Sequence, residues 1–261
     1  MNHIIKPFKP YFNTPLEPRR TQGMIAYYDA TTQQGGGYLA DRYGRRHGVF
    51  ANNPTWQNGN AITGLASSNQ RVQMDNIPSL VYPYTILAIT SFPSLPGSGV
   101  FLGLPVSGYS STYPSWGHDD GFTSIILGVT SEGQFGIPIS YLSINKYYQL
   151  AVVATSASDV RIFCDGIRLN FSPYFNNIGY LNTLNSIIFG ARYNSGYSRT
   201  SNFNFKQLAI FNRALTHGEI LAHYEDQYCF YEQPKIYGFI PSGGGSSLPA
   251  IINNHRQQGA M

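Results

Sequence analysis

Short stretches of alternating apolar and polar residues dominate the middle of the chain. In one of them, Val160, Ile162 and Cys164 are separated by single residues, and an Asp-Gly pair follows at 165–166. A period of two residues is the pattern of a β-strand, and Asp-Gly is a strong signal for a hairpin turn. Short strands at regular spacing predict an antiparallel β-sandwich. Comparable stretches predict strands at 25–28, 84–90, 100–104, 124–129, 134–139, 150–155, 186–190 and 207–211.

A single helix is predicted, directly after the last of these strands. Thr216 stands three residues before Glu219, which is the spacing of a capping box. Leu215 and Ile220 have the spacing of a hydrophobic staple across the same helix start. Tyr224, one turn after Ile220, extends the apolar face. The predicted fold is therefore all-β with one short helix on the C-terminal side.

Both ends of the chain differ from its middle. Residues 1–22 contain four prolines, each of which fixes φ and removes a backbone donor. Residues 232–261 are rich in Pro, Gly and Ser and carry little to bury, so they are not expected to order themselves. The predicted organisation is an extended N-terminal arm (1–22), a sandwich domain (23–231) and an extended C-terminal arm (232–261).

Composition narrows the classes of function. Charged residues make up 11% of the chain and aromatic residues 15%, whereas about 25% charged residues is usual for a globular protein. A surface built from Tyr, Ser, Asn, Thr and Gln is therefore expected, which is typical of proteins that face sugars or other subunits. The net charge of +4 is too small to predict nucleic-acid binding.

Targeting signals and cysteines add one expectation each. Residues 1–7 lack the hydrophobic core of a signal peptide, and no apolar run approaches the roughly 18 residues of a membrane span. The two cysteines, Cys164 and Cys229, do not form a disulfide framework. Reduced thiols and folding in a reducing cytosol are therefore expected.

The predicted last strand and helix carry a family resemblance. Residues 207–220, Gln-Leu-Ala-Ile-Phe-Asn-Arg-Ala-Leu-Thr-His-Gly-Glu-Ile, resemble the closing motif of laminin-G/pentraxin-like domains of the concanavalin A-like lectin/glucanase superfamily. The resemblance covers about residues 23–231 and implies a jelly roll of two antiparallel sheets. Members of this family bind sugars or proteins, often through calcium. Weaker matches lie at 160–166, 187–190, 23–28, 39–41 and Trp56.

One departure from the family concerns calcium. Many relatives carry a Gly and an acidic residue just before the last strand, but residues 204–207 read Asn-Phe-Lys-Gln. The resemblance therefore does not imply a calcium site at this position.

The C-terminal arm carries a second resemblance. Residues 237–241, Tyr-Gly-Phe-Ile-Pro, are similar to a segment that follows such domains in structural proteins of tailed phages. This implies a non-enzymatic structural protein of a virion that decorates or attaches to capsid or tail. It would be made in the host cytoplasm and act as a homo-oligomer or in many copies. Its arms would contact other virion proteins, through Lys6, Lys9, Arg19, Arg20, Tyr237 and Phe239.

The best polar constellation within the domain begins at Trp116. Trp116 could stack on a sugar ring, while His118, Asp119 and Asp120 could contact its hydroxyl groups. Adjacent carboxylates followed by a Gly also suit calcium, which makes Asp119 and Asp120 the candidate metal ligands. An ordinary solvated turn beside a buried Trp explains the same residues. Calcium is the only cofactor that the sequence brings into question.

Two further groups of residues support a binding role less directly. The loop 107–113, which includes Tyr109 and Tyr113, has the Tyr/Ser/Gly composition of an adaptable recognition surface. That composition suits protein contacts equally well. Asp29 and Asp41 are weaker candidate ligands. The alternative function is therefore a carbohydrate-binding adhesin or lectin domain that recognises cell-surface glycans, with or without calcium.

Catalysis has the least support. A glycoside hydrolase needs a pair of carboxylates, and no strand carries the Glu-x-Asp-x-x-Glu arrangement that glucanases of this fold use. His217, Glu219 and His223 do not have the spacing of an H-E-x-x-H zinc motif, and Glu219 is accounted for as a helix cap. No catalytic residues are predicted.

Overall fold

A computed structural model describes residues 14–33, 35–44, 46–57, 61–78, 80–93, 99–103, 115–118, 124–130, 133–138, 142–156, 159–170, 186–190, 192–193, 197–198 and 202–232. For 99–103, 115–118, 124–130, 133–138, 192–193 and 197–198 the description is of the backbone.

The described elements are short strands and one helix, as the alternating pattern predicts. In chain order they are β1 (Met24–Asp29), β2 (Tyr38–Leu39), β3 (Gly48–Ala51), β4 (Thr55–Gln57), β5 (Ala61–Gly64), a 3-10 turn (Ala66–Ser68), β6 (Arg71–Asp75), β7 (Tyr84–Ser91), β8 (Gly99–Gly103), β9 (Ser115–His118), β10 (Ser124–Thr130), β11 (Gly133–Pro138), β12 (Tyr147–Ala154), β13 (Val160–Cys164), β14 (Ile167–Leu169), β15 (Ser186–Phe189), β16 (Arg192–Tyr193), β17 (Tyr197–Ser198), β18 (Phe203–Phe211) and α1 (His217–Glu225).

The strands form two large antiparallel sheets. The first has the order β14-β13-β12-β7-β18-β5-β4, with β1 also paired to β18. The second has the order β11-β10-β9-β8-β15-β6-β3-β2, and β16 and β17 form a separate pair. Apolar side chains from both large sheets, such as Ile86 of β7 and Phe189 of β15, meet in one core cluster. The predicted all-β, two-sheet sandwich is confirmed.

The predicted Asp-Gly hairpin joins β13 to β14. Asp165 has φ +50° and Gly166 has φ +75°. Two consecutive positive φ values are what a tight two-residue hairpin turn requires, and Asp-Gly meets that requirement at low cost.

β18 is an interior strand of the first sheet, paired along both edges. It pairs with β7 along one edge, and with β5 and then β1 along the other. The register against β7 shifts between Phe205 and Gln207, so Lys206 is an extra residue in the ladder. Lys206 is half-buried, whereas Phe205 and Gln207 are both fully buried. This bulge gives a strand that is otherwise buried one long cationic side chain at its surface.

The first sheet is covered on both faces. Leu150 and Val152 of β12 belong to the core between the sheets, while Ala151 and Val153 belong to a second cluster on the outer face. The outer cluster also contains Ile220 of α1 and Phe230. A strand buried on both faces carries apolar residues at successive positions, which explains why 150–154 is apolar throughout.

The helix begins as predicted. The Thr216 side chain accepts from the Glu219 backbone N–H, and the Glu219 carboxylate accepts from the Thr216 N–H at 2.8 Å. Arg213 holds the same carboxylate with two N–H groups at 3.0 and 2.5 Å. Leu215 and Ile220 are both buried in the outer cluster, so the capping box and the staple together attach α1 to the sheet. No helix among the described residues is long and apolar enough to cross a membrane.

The described end of the predicted N-terminal arm packs against the C-terminal side of the domain. Leu16 forms a bridge with Tyr231, and the Glu17 N–H donates to the Phe230 carbonyl at 2.8 Å. The Glu232 N–H donates to the Pro15 carbonyl at 2.9 Å. The chain therefore enters and leaves its described part side by side, at Pro15 and Glu232.

The two arginines predicted to make arm contacts lie within the described residues. Arg19 is exposed, and the Arg20 guanidinium donates to the Cys229 carbonyl at 3.1 Å. Lys6, Lys9, Tyr237 and Phe239 lie outside the described residues.

Cys164 and Cys229 are free thiols, and burial raises the pKa of each to about 12. Thiols with so high a pKa are poor nucleophiles at neutral pH.

Candidate ligand-binding site

The predicted site around Trp116 falls partly on a described strand. Trp116 and His118 belong to β9, where they pair with Leu127 and Ile125 of β10. Asp119, Asp120, Tyr109 and Tyr113 lie outside the described residues. The glycan and calcium site at these positions stays a prediction.

Asp41 organises a turn. Its Oδ1 accepts from the Tyr27 and Tyr43 backbone N–H groups at 3.0 and 2.9 Å. Its Oδ2 accepts from the Arg46 N–H at 3.1 Å. Both oxygens of this buried carboxylate are thus engaged by the backbone, which holds Tyr43 and Arg46 close to β1.

Asp29 lies in a buried polar network. Its Oδ1 accepts from the Thr31 N–H and hydroxyl at 2.9 and 2.6 Å, and its Oδ2 accepts from the Tyr231 hydroxyl at 2.7 Å. The Tyr27 hydroxyl donates to Oδ2 at 3.3 Å. Burial raises the pKa of the Asp29 carboxyl group, and the hydrogen bonds oppose this rise. The network ties residue 231 to β1 in the interior.

His217, Glu219 and His223, the helix residues whose types could bind zinc, have separate structural roles. Glu219 caps α1 and pairs with Arg213. His217 is exposed and its Nε2 lies 2.9 Å from the Gly166 carbonyl. His223 is fully buried. Within the part of the chain that the structure describes, no three His, Cys, Asp or Glu side chains come together as a metal site.

A cleft of about 530 Å³ opens beside the end of α1. Tyr147 and Gln149 of β12 line it on the outer face of the first sheet, and Lys206 lines it from the β18 bulge. Tyr148 of β12, Tyr224 from the helix and Tyr228 from the segment that follows also line it. Four tyrosines and a lysine, from three segments that are distant in sequence, therefore meet at one surface.

The floor of the cleft is a pair of buried side chains, Gln149 and His223. The Gln149 Oε1 accepts from the Gly166 N–H at 3.1 Å, which orients the amide. Its Nε2 then donates to the Ile220 carbonyl and to His223 Nδ1, each at 2.9 Å. Because Nδ1 accepts, the proton of the neutral imidazole is on Nε2.

The proton on His223 Nε2 has no acceptor among the described residues. Burial lowers the pKa of this imidazole to about 3, so it is neutral at physiological pH. The unpaired N–H costs about 1–3 kcal/mol of stability. Most buried polar groups are hydrogen-bonded, so the unpaired His223 N–H beneath a surface cleft marks a candidate functional position.

The rim of the cleft carries charges of both signs. Asp165, Glu225 and Asp226 line it together with Lys206, whose Nζ lies 3.8 Å from the centre of the Tyr147 ring. Lys146 pairs with the Asp165 carboxylate at 3.3 Å, and the hydrogen bond to Asp165 raises the Lys146 pKa.

Tyr224 presents the largest aromatic surface at the rim, with 49% of the residue exposed. Gly166 lies directly against it: a Cβ on Gly166 would come within 3.3 Å of Tyr224 Cβ and Cδ1. The hairpin between β13 and β14 therefore supports one side of the tyrosine.

The cleft was not predicted from the sequence. The helical pattern predicts Tyr224 on the apolar face of the helix, and the sequence singles out His223 only for its failed match to a zinc motif. The one sequence signal was the polar pair Tyr147 and Gln149 at the start of an otherwise apolar strand. Lys206 had no such signal, because its position depends on a bulge against a distant strand.

The fold of the chain is similar to that of several solved structures, at low sequence identity. No family model and no curated protein matches the sequence. Among solved structures, a Trypanosoma rangeli sialidase in complex with sialic acid is 15% identical with a TM-score of 0.64, over 84% of this chain and 36% of that chain. The binding domain of botulinum neurotoxin serotype D is 13% identical with a TM-score of 0.58, over 79% of this chain and 51% of that one.

These similarities concern the fold alone. The receptor-binding domain of a botulinum neurotoxin C/D mosaic serotype gives the same picture, with 12% identity, a TM-score of 0.58, and 79% of this chain and 52% of that chain covered. The chain spans about a third of the length of the sialidase and about half of the toxin domains. What the chain shares with all three is the fold.

Proposed function

We propose that the chain is a carbohydrate-binding module without catalytic activity. The cleft beside α1 carries the proposal. Its tyrosines offer aromatic faces to a sugar ring, while its carboxylates and Lys206 offer acceptors and donors to hydroxyl groups. Ligand sites of this kind combine apolar walls with a few placed polar groups.

The carboxylates of the cleft support a binding role over a catalytic one. Asp165 accepts from the Gln149 N–H at 2.9 Å and pairs with Lys146, and Asp226 accepts from the Tyr228 N–H at 3.0 Å. Both are thus engaged in holding local structure. The fold is shared with a sialidase in complex with sialic acid and with a toxin receptor-binding domain, which is a further reason to test ligand binding first.

Two surfaces of the domain are candidates for the glycan. One is the cleft, represented by Tyr224, and the other is the predicted site at Trp116, with Asp119 and Asp120 as calcium ligands. A glycan array should be screened with the full chain, with Tyr224→Ala and with Trp116→Ala, each in calcium and in a chelator. Loss of binding in one variant identifies the surface, and loss in chelator supports a calcium site.

Absence of binding to a broad array, in both calcium and chelator, would contradict the proposal. The variants must first be shown to unfold at the same urea concentration as the parent chain. Otherwise a loss of binding could reflect a loss of structure.

A second function, attachment to a phage particle, is favoured by the adjacency of Pro15 and Glu232, near the two ends of the described part of the domain. The hydrogen bond between Glu232 and Pro15 places the start of both flanking segments at one point on the domain. Such an arrangement suits a module held at one end by a larger assembly. We propose that residues 1–13 and 233–261 make that attachment, so that the domain acts in many copies on a virion.

Removal of residues 1–13 and 233–261 tests the attachment. Residues 14–22 are kept, because they pack against 229–232. The shortened chain should fold with an unchanged melting temperature and should no longer be incorporated into particles. Normal incorporation would contradict the attachment function and leave the carbohydrate-binding proposal untouched.

A further inference from the structure

We infer that the cleft beside α1 binds an uncharged pyranose, which lays a CH face on Tyr224 and directs its hydroxyl groups to the charged rim. This inference rests on the carbohydrate-binding function proposed above and specifies its ligand class. It also assigns the ligand to the α1 side of the first sheet, away from the predicted site on β9.

The mixed charge of the rim selects against charged ligands. Asp165, Glu225 and Asp226 would repel a sugar that carries a carboxylate. Lys206, which lines the cleft and stands over the ring of Tyr147, would repel one that carries an ammonium group. Hydroxyl groups both donate and accept, so an uncharged sugar can use carboxylates and ammonium groups at once.

The aromatic lining selects a ring with an apolar face. One face of the Tyr147 ring is already occupied by the Lys206 ammonium at 3.8 Å. Tyr224 is 49% exposed and is supported from one side by Gly166. A pyranose can therefore gain most stacking area on Tyr224, and such contacts contribute about 0.5–1.5 kcal/mol in comparable aromatic pairs.

The charge preference is tested with sets of sugars that share one configuration. The full chain is titrated, by ligand-observed NMR at millimolar sugar, with the methyl glycosides of glucose, galactose and mannose. The corresponding uronic acids and 2-amino sugars are titrated in parallel. In the configuration that binds, the uncharged glycoside should bind roughly two- to fivefold more tightly than either charged analogue, which is the range expected for exposed charge contacts.

The location is tested with matched variants. Tyr224→Ala should weaken binding of the uncharged glycoside roughly three- to tenfold. Tyr43→Ala is the control, because Tyr43 is 48% exposed and does not line the cleft. Glu225→Gln should narrow the gap between the glycoside and its uronic acid, whereas Glu232→Gln, an exposed acid outside the cleft lining, should leave it unchanged.

The outcomes separate the inference from the function beneath it. Tighter binding of a uronic acid or an amino sugar overturns the ligand class. Glycoside binding that is equal in the parent chain and in Tyr224→Ala overturns the location and directs attention to Trp116; in both cases the module still binds carbohydrate. Absence of binding to every sugar in the titration and on the glycan array overturns the proposed function itself.

Discussion

Mild acid should destabilise the domain at His223. The imidazole is 0% exposed, and burial lowers its pKa to about 3. In the unfolded chain the pKa of a histidine is about 6.5. As the pH falls below 6.5, the His223 imidazole becomes protonated in the unfolded state. In the folded state it stays neutral down to about pH 3.

The sign and the size follow from proton linkage. The contribution of His223 to stability is complete above about pH 6.5 and is lost progressively as the pH falls towards 3. One pKa unit corresponds to about 1.4 kcal/mol, so the total loss is about 5 kcal/mol. Between pH 7.5 and pH 5 the expected loss is about 2 kcal/mol.

Urea unfolding of the parent chain and of His223→Gln at pH 7.5 and pH 5 measures this term. Gln keeps an acceptor for Gln149 Nε2 but does not titrate, so the variant should start less stable and lose about 2 kcal/mol less on acidification. Asp29 acts in the opposite sense, because burial raises its pKa and acid therefore favours its folded state. Its effect is common to both proteins and cancels in the comparison.

The exposed His217 supplies the control. His217→Gln makes the same substitution at an exposed position of the same helix, so the change in pH dependence is expected in His223→Gln and not in this control. Equal losses of stability in the parent chain and in His223→Gln would show that His223 is not held neutral by burial. The description of the cleft floor would then be wrong.

Three further substitutions test the contacts around the helix and the C-terminal segment. Tyr231→Phe removes the 2.7 Å hydrogen bond to the Asp29 carboxylate and should cost about 1.5–3 kcal/mol in urea unfolding; a cost below about 0.5 kcal/mol would show that the network adds little. Gly166→Ala should cost about 1 kcal/mol, since the residue has φ +75°, and should also weaken sugar binding by displacing Tyr224. An unchanged affinity would separate the hairpin from the site. Thr216→Ala removes the helix cap and should cost about 1 kcal/mol by thermal unfolding, with no change in sugar binding.

Features of the fold that depend on nearby residues could be predicted from the sequence. The Asp165–Gly166 hairpin, the Thr216–Glu219 capping box and the strand before it are each specified within a few residues, and each is confirmed. Their physical causes are local: the φ angles of a turn, a side chain that reaches a backbone N–H three residues away, and alternation along a strand. The regular spacing of short strands predicted a sandwich, and the family resemblance in 207–220 independently implied two antiparallel sheets.

The candidate site could not be predicted in the same way, because its contacts join distant parts of the chain. Lys206 reaches Tyr147 only because the register of β18 shifts against β7. His223 contributes to the floor through its contact with Gln149, which lies 74 positions earlier in the chain. The Gln149 amide accepts a hydrogen bond from the Gly166 N–H and donates one to His223 Nδ1. Neither pairing leaves a periodic pattern in the sequence.

The location of the cleft nevertheless has a simple geometric cause. β12 has eight residues and is about 26 Å long, whereas α1 has nine residues and is about 13 Å long. The helix therefore covers only part of the strand's outer face. Ala151 and Val153 lie in the apolar cluster that includes Ile220, and the same face turns polar at Gln149 and Tyr147, where the helix ends. The change from apolar to polar residues along the outer face of β12 thus marks the point where α1 no longer covers the strand. At this point a ligand can approach the sheet.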